Sequence, residues 1–190
     1  MLMNVSLTLA GMLTWPFLEY VLHRWFHISR GRDPGSKEHL AHHARPDTFA
    51  AWWKKAGFFA GLMAVLGWVS VPFAFGLAVA YLAYEFLHRL AHVAAPKTAY
   101  GARVRERHFR HHFVDPNRSH GVTTVLFDVL FGTTLPKDPV PVPQSMSHAL
   151  PWLFDAQGEI KPEFRGRYEI HHRRDGHRFQ EARAASASLR

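Results

Sequence analysis

Residues 84–112 read YEFLHRLAHVAAPKTAYGARVRERHFRHH, the point at which an apolar tract gives way to a polar segment loaded with histidine. His88 and His92 lie four apart, so on a helix both rings project from one face about one turn from each other. His108, His111 and His112 follow at i, i+3 and i+4 and share one arc of a second helix. Working backwards, the tract that feeds this stretch begins at Ala56 and up to Leu87 carries Glu85 as its one charge. As a single helix its roughly 32 residues would reach about 48 Å, too long for one crossing of a bilayer core of about 30 Å. It should fold back at Gly67, Ser70 and Pro72, giving helices near 54–70 and 73–92.

The same order occurs upstream. Residues 2–22 (LMNVSLTLAGMLTWPFLEYVL) carry a single charge, Glu19, and are long enough to cross a bilayer. A cleaved signal peptide fits poorly: there is no basic leader, Trp15 and Pro16 interrupt the run, and it passes straight into HRWFH, with His23 and His27 at i and i+4. HLAHH then supplies His39, His42 and His43. The chain therefore reads pair, triplet, pair, triplet, each pair at the end of an apolar helix. Arg and Lys cluster at 24–55 and 89–110 and are missing from the turn near 68–75, which places both clusters in the cytoplasm and the N-terminus outside. The expected fold is all-α: an integral membrane helical bundle with a histidine-rich dimetal cap on its cytoplasmic side.

Ten of the 15 histidines fall in these four motifs, and the chain has no cysteine. Thiolate zinc sites, Fe–S clusters and disulfides are excluded, so any metal is held by nitrogen and oxygen. A structural zinc site needs about four ligands; ten imidazoles imply two ions, ligated by His23, His27, His39, His42, His43, His88, His92, His108, His111 and His112. Glu19 and Glu85 sit in apolar helices one turn and three residues before a motif. Each is expected to accept the outer ring N–H of a ligand histidine, with an interfacial ion pair to Arg24 or Arg89 as the alternative. His120 is a weaker auxiliary ligand, and His171 and His172 fit a solvated tail. The net charge of +8 suits nucleic acid or an anionic membrane surface, and the apolar tracts decide for the membrane. With 190 residues, one membrane-embedded domain over 1–136 is expected, followed over 137–190 by a Pro-rich connector (PKDPVPVPQ) and a polar, partly disordered tail dispensable from about Gly158. A membrane metal-storage protein without catalysis is the competing class.

YEFLHRLAH at 84–92, HFRHHFVDP at 108–116 and GVTTVLFDVLFGTTLP at 121–136 resemble the fatty acid hydroxylase and sterol desaturase superfamily, the fatty acid 2-hydroxylases above all, with carotenoid hydroxylases as related alternatives. The resemblance spans about residues 15–136. It implies a non-haem di-iron site, with zinc as an alternative occupant of purified protein, that hydroxylates a lipid with O2 as cosubstrate. It also implies two electrons from an external electron-carrier protein. The expected location is a bacterial inner membrane, with the site facing the cytoplasm as the Arg and Lys clusters indicate.

Overall fold

The computed structural model describes residues 1–171. Six helices come first: α1 (Leu2–Ser29), α2 (Pro34–Ala44), α3 (Trp52–Val69), α4 (Val71–Val93), α5 (Ala99–Phe113) and the short α6 (Leu126–Leu130). A small unit follows, built from β1 (Val140–Pro143), two 3-10 turns (Gln144–Ala149 and Pro162–Phe164) and β2 (Tyr168–His171).

α1 and α4 pack along their lengths, and glycine lets them do so. A Cβ on Gly11 would lie 2.1 Å from the Phe73 carbonyl oxygen, and one on Gly76 1.9 Å from that of Thr8. Backbone meets backbone there, the packing mode of helices that cannot rely on the hydrophobic effect to associate. Below the crossing, Trp15 is buried against Tyr81 and Tyr84, with ring centroids 5.0 and 5.3 Å away. Outward faces carry Leu13, Phe17, Phe75, Leu82 and Phe86, all exposed. Both helices are long and apolar enough to cross a membrane. α3 forms the expected hairpin with α4 through Ser70, whose side chain accepts from the Phe73 N–H, but among the described residues only α1 and α4 meet that test of length and hydropathy.

The histidine-bearing helices start and stop where local chemistry directs. α1 runs on past the expected apolar stretch and ends at Arg30 and Gly31, both left-handed (φ 51° and 80°). Asp33 caps α2 reciprocally with Ser36, has Pro34 after it, and accepts from the Ser29 hydroxyl. Thr98 caps α5 through the Gly101 N–H.

Beyond residue 136 the structure departs from the expected connector and solvated tail. Val140 and Val142 are wholly buried in β1, which pairs parallel to β2 in the register Val140↔Tyr168. They alternate with Pro141 and Pro143, so period-two patterning puts the valines on one face and the residues without an N–H on the other, where Pro141 is itself buried and Pro143 half-buried. Leu150, Trp152, Leu153, Phe164 and Tyr168 complete a core that closes over Phe109 of α5. Gly158 therefore precedes buried residues, and His171 ends a strand. The expected disorder of the last residues, with His172 and His177, lies outside the described residues.

Candidate metal centre

All ten motif histidines converge, and they divide into two groups of five. The first comprises His23, His27, His39, His43 and His111; the second His42, His88, His92, His108 and His112. In each group the five nitrogens lie within 4.8 Å of one another. The division follows helical geometry. Each group takes a four-apart pair from the end of an apolar helix (α1 or α4) and the four-apart pair of one triplet. Its fifth ring is the middle histidine of the other triplet. His42 and His111, three residues beyond the first ring of their triplets, are turned aside and cross to the opposite group. α2 and α5 thus each serve both groups, and His43 and His112 stack across the boundary, 4.0 Å apart and 10° from parallel.

Hydrogen bonding fixes which nitrogens face inward. His23 Nδ1 donates to the His120 carbonyl (2.5 Å), His42 Nδ1 to that of Thr48 (2.7 Å) and His111 Nδ1 to that of Arg118 (2.8 Å). A carbonyl only accepts, so in a neutral ring Nε2 is left as a bare lone pair. Those lone pairs confront further Nε2 atoms: His42 stands 3.1 Å from His92 and 3.2 Å from His88, and His111 stands 3.1 Å from His27 and from His43. His23 Nε2 is buried with no hydrogen-bond partner. A first-row ion binds imidazole at about 2.0–2.1 Å, which sets nitrogens at right angles about 3 Å apart. The convergence therefore has the spacing and donor type that such an ion requires. Burial pushes His39, His43, His108, His111 and His112 below the ordinary histidine range, with neighbouring rings adding to the effect. It takes His42 down to about 4 and His120 to about 3. All are neutral near pH 7, the form that ligates metal.

Neither carboxylate serves the rings as expected. Glu19, buried, accepts from the Val122 N–H, the Thr123 N–H (3.0 Å) and the Thr123 hydroxyl (2.5 Å). Glu85 pairs with Lys55 of α3 (2.6 Å) and accepts from the Tyr81 hydroxyl (3.1 Å), not with Arg89. For His23, His42 and His111 the role of fixing the ring tautomer falls to backbone carbonyls instead. A third carboxylate, which sequence reasoning passed over, is Asp128: it is fully buried and accepts from the His120 and Gly121 N–H groups and the Thr133 hydroxyl. Its signal was an aspartate isolated in the apolar run VLFDVLF. Glu19 and Asp128 together pin the loop whose carbonyls hold His23 and His111. His148 is exposed, and neither it nor His171 joins a group.

The sequence profile of the fatty acid hydroxylase family matches residues 8–133, a span that holds all four motifs. The chain belongs to the fatty acid hydroxylase family. It is 29% identical to the fatty acid 2-hydroxylase of Mus musculus over 158 residues, which is 72% of this chain and 41% of the relative. It is likewise 29% identical to a dihydroceramide fatty acyl 2-hydroxylase of Arabidopsis thaliana over 149 residues, 68% of this chain and 60% of the relative. The human fatty acid 2-hydroxylase is 26% identical over 151 residues. The aligned region thus takes in roughly two fifths to three fifths of these relatives' length. No solved structure matches the chain.

Outside the family match, the C-terminal unit of this hydroxylase-family chain still touches the second group. The His92 carbonyl would be served in a continuing helix by residue 96, but that residue is Pro96 and has no N–H. The Trp152 indole donates to it instead (2.8 Å). The Arg105 guanidinium donates to the carbonyls of Leu90 (2.6 Å) and Ala94 (2.8 Å) at the same helix end, and its Cζ lies 5.7 Å from the Trp152 ring centroid. Side chains from outside α4 thereby serve the carbonyls of Leu90, His92 and Ala94 at its C-terminal end.

Proposed function

We propose that the chain is a membrane-bound non-haem di-iron oxygenase that hydroxylates a fatty acyl chain of a lipid. The observation that carries this reading is the convergence of ten buried or half-buried imidazoles, five to an ion, at the ends of two apolar helices. The names of the relatives direct it to an acyl chain rather than to a carotenoid or sterol. Overall, a C–H bond, O2, two electrons and two protons become an alcohol and water, and the electrons come from an external carrier protein. Two iron ions, when bound, supply the activation of O2 and the cleavage of an unactivated C–H bond, which no side chain achieves alone.

The protein's own residues do the rest. Carbonyls of Thr48, Arg118 and His120 hold three rings with Nε2 inward, and burial keeps His42 and His111 unprotonated. Five nitrogens per group would hold an ion and would leave room beside it for an exogenous ligand. The exposed apolar faces of α1 and α4 put that centre beside lipid, and Arg24, Arg89 and Lys97 lie on the flank that we assign to the cytoplasm. Protein purified in detergent should carry two ions per chain, and 18O2 should label a 2-hydroxyacyl lipid formed in its presence. A metal content near zero, or a product labelled from water, would overturn the proposal.

A further inference from the structure

His120 is fully buried, and its main chain is committed: the N–H donates to Asp128 Oδ1 (2.9 Å) and the carbonyl accepts from His23 Nδ1 (2.5 Å). Its ring is not committed. Neither Nδ1 nor Nε2 has a hydrogen-bond partner, and Asp128 Oδ1 stands 4.0 Å from Nδ1, beyond bonding reach. Any neutral imidazole buries one donor and one acceptor, and leaving both unpaired is costly. Among the described residues, His120 is the one buried histidine with both ring nitrogens in this condition.

The surroundings show where a partner would sit. The ring packs 5.5 Å from His111, 5.7 Å from His23 and 6.1 Å from His27, all members of the first group, and Tyr20 closes a fourth side edge-on at 5.5 Å. Tyr20 is itself occupied, its hydroxyl 3.2 Å from Thr133 Oγ1 and accepting from Arg24. His120 lies outside the five converging donors and so is not a sixth ligand of the same set.

We infer that His120 hydrogen-bonds a small oxygen-bearing ligand held on the ion of the first group, making that ion the one at which an exogenous ligand is oriented. This rests on the proposed metal centre. The second group lacks an equivalent among the described residues, so the two ions are unequal in this respect.

Azide is a suitable probe, because it binds metal and accepts hydrogen bonds. Cobalt(II)-loaded protein in detergent would be titrated with azide and followed by its visible spectrum, for the parent chain and for His120→Phe, His120→Leu and His120→Gln. Main-chain bonds to His23 and Asp128 survive in all three. The expected result is two ions per chain throughout, azide affinity about tenfold weaker with Phe and Leu, and recovery with Gln, which restores a donor. Equal azide affinity in all four proteins would overturn the inference alone. So would loss of an ion in the Phe and Leu variants only, since His120 would then be a ligand. A parent chain that takes up no metal would overturn the proposed function, and this inference with it.

Discussion

Burial costs an imidazole its charge, and for six rings outside the membrane helices this sets a pH limit on the fold. His39, His42, His43, His108, His111 and His112 all have depressed proton affinity in the folded chain, His42 to about 4 against an ordinary 6.5. Below pH 6.5 the unfolded chain takes up protons that the folded chain refuses, so stability falls with pH through the window from about 6.5 towards 4. Metal-free protein in detergent should show a lower Tm at pH 5 than at pH 7.5; an unchanged or higher Tm would contradict the neutral assignment. Asp128 makes a second residue-scale prediction. Asp128→Ala strands two buried N–H groups, at about 1–3 kcal/mol each. It also slackens the loop that carries the His120 carbonyl. Reduced Tm together with weaker binding at the first group is expected, whereas an effect on Tm alone would separate the loop from the metal site.

Helices were legible where their determinants are local. Four-residue spacing declares a shared face whatever surrounds it, so the pairs and triplets could be read directly, as could the turn at Ser70 and Pro72. Partition of each triplet was not legible, because the direction His42 or His111 faces matters only once a neighbouring helix stands there. The partners of Glu19 and Glu85 were hidden for the same reason, lying about 100 and 30 residues away. VPVP, by contrast, carried its period-two signal openly, masked by the habit of reading proline as connector. Trp152→Phe keeps the ring packed on Phe109 and Phe164 but leaves the His92 carbonyl without its donor. Faster amide exchange in the last turn of α4 and looser metal at the second group are expected, with α1 unaffected. Truncation after Gln157 removes Ile160, Phe164 and Tyr168 from a buried core. It should therefore destabilise the chain and not be silent as a solvated tail would be; an unchanged Tm would show that this unit stands apart from α5.

For the whole molecule, the two apolar helices cross at glycine, their lower ends spread the histidine pairs, and α2 and α5 close beneath them. Because α2 and α5 each lend rings to both groups, neither ion can be bound without ordering donors for its neighbour. The first ion in prepays part of the conformational cost of the second, so loading should be positively cooperative, with half-filled chains scarce. Titrating stripped protein with metal and resolving the species by native mass spectrometry checks this. A statistical share of singly loaded chains would argue that the groups fill independently. In a cell whose metal supply is short, a cooperative protein divides into full and empty copies, so scarcity would reduce the number of working molecules and leave each survivor fully competent.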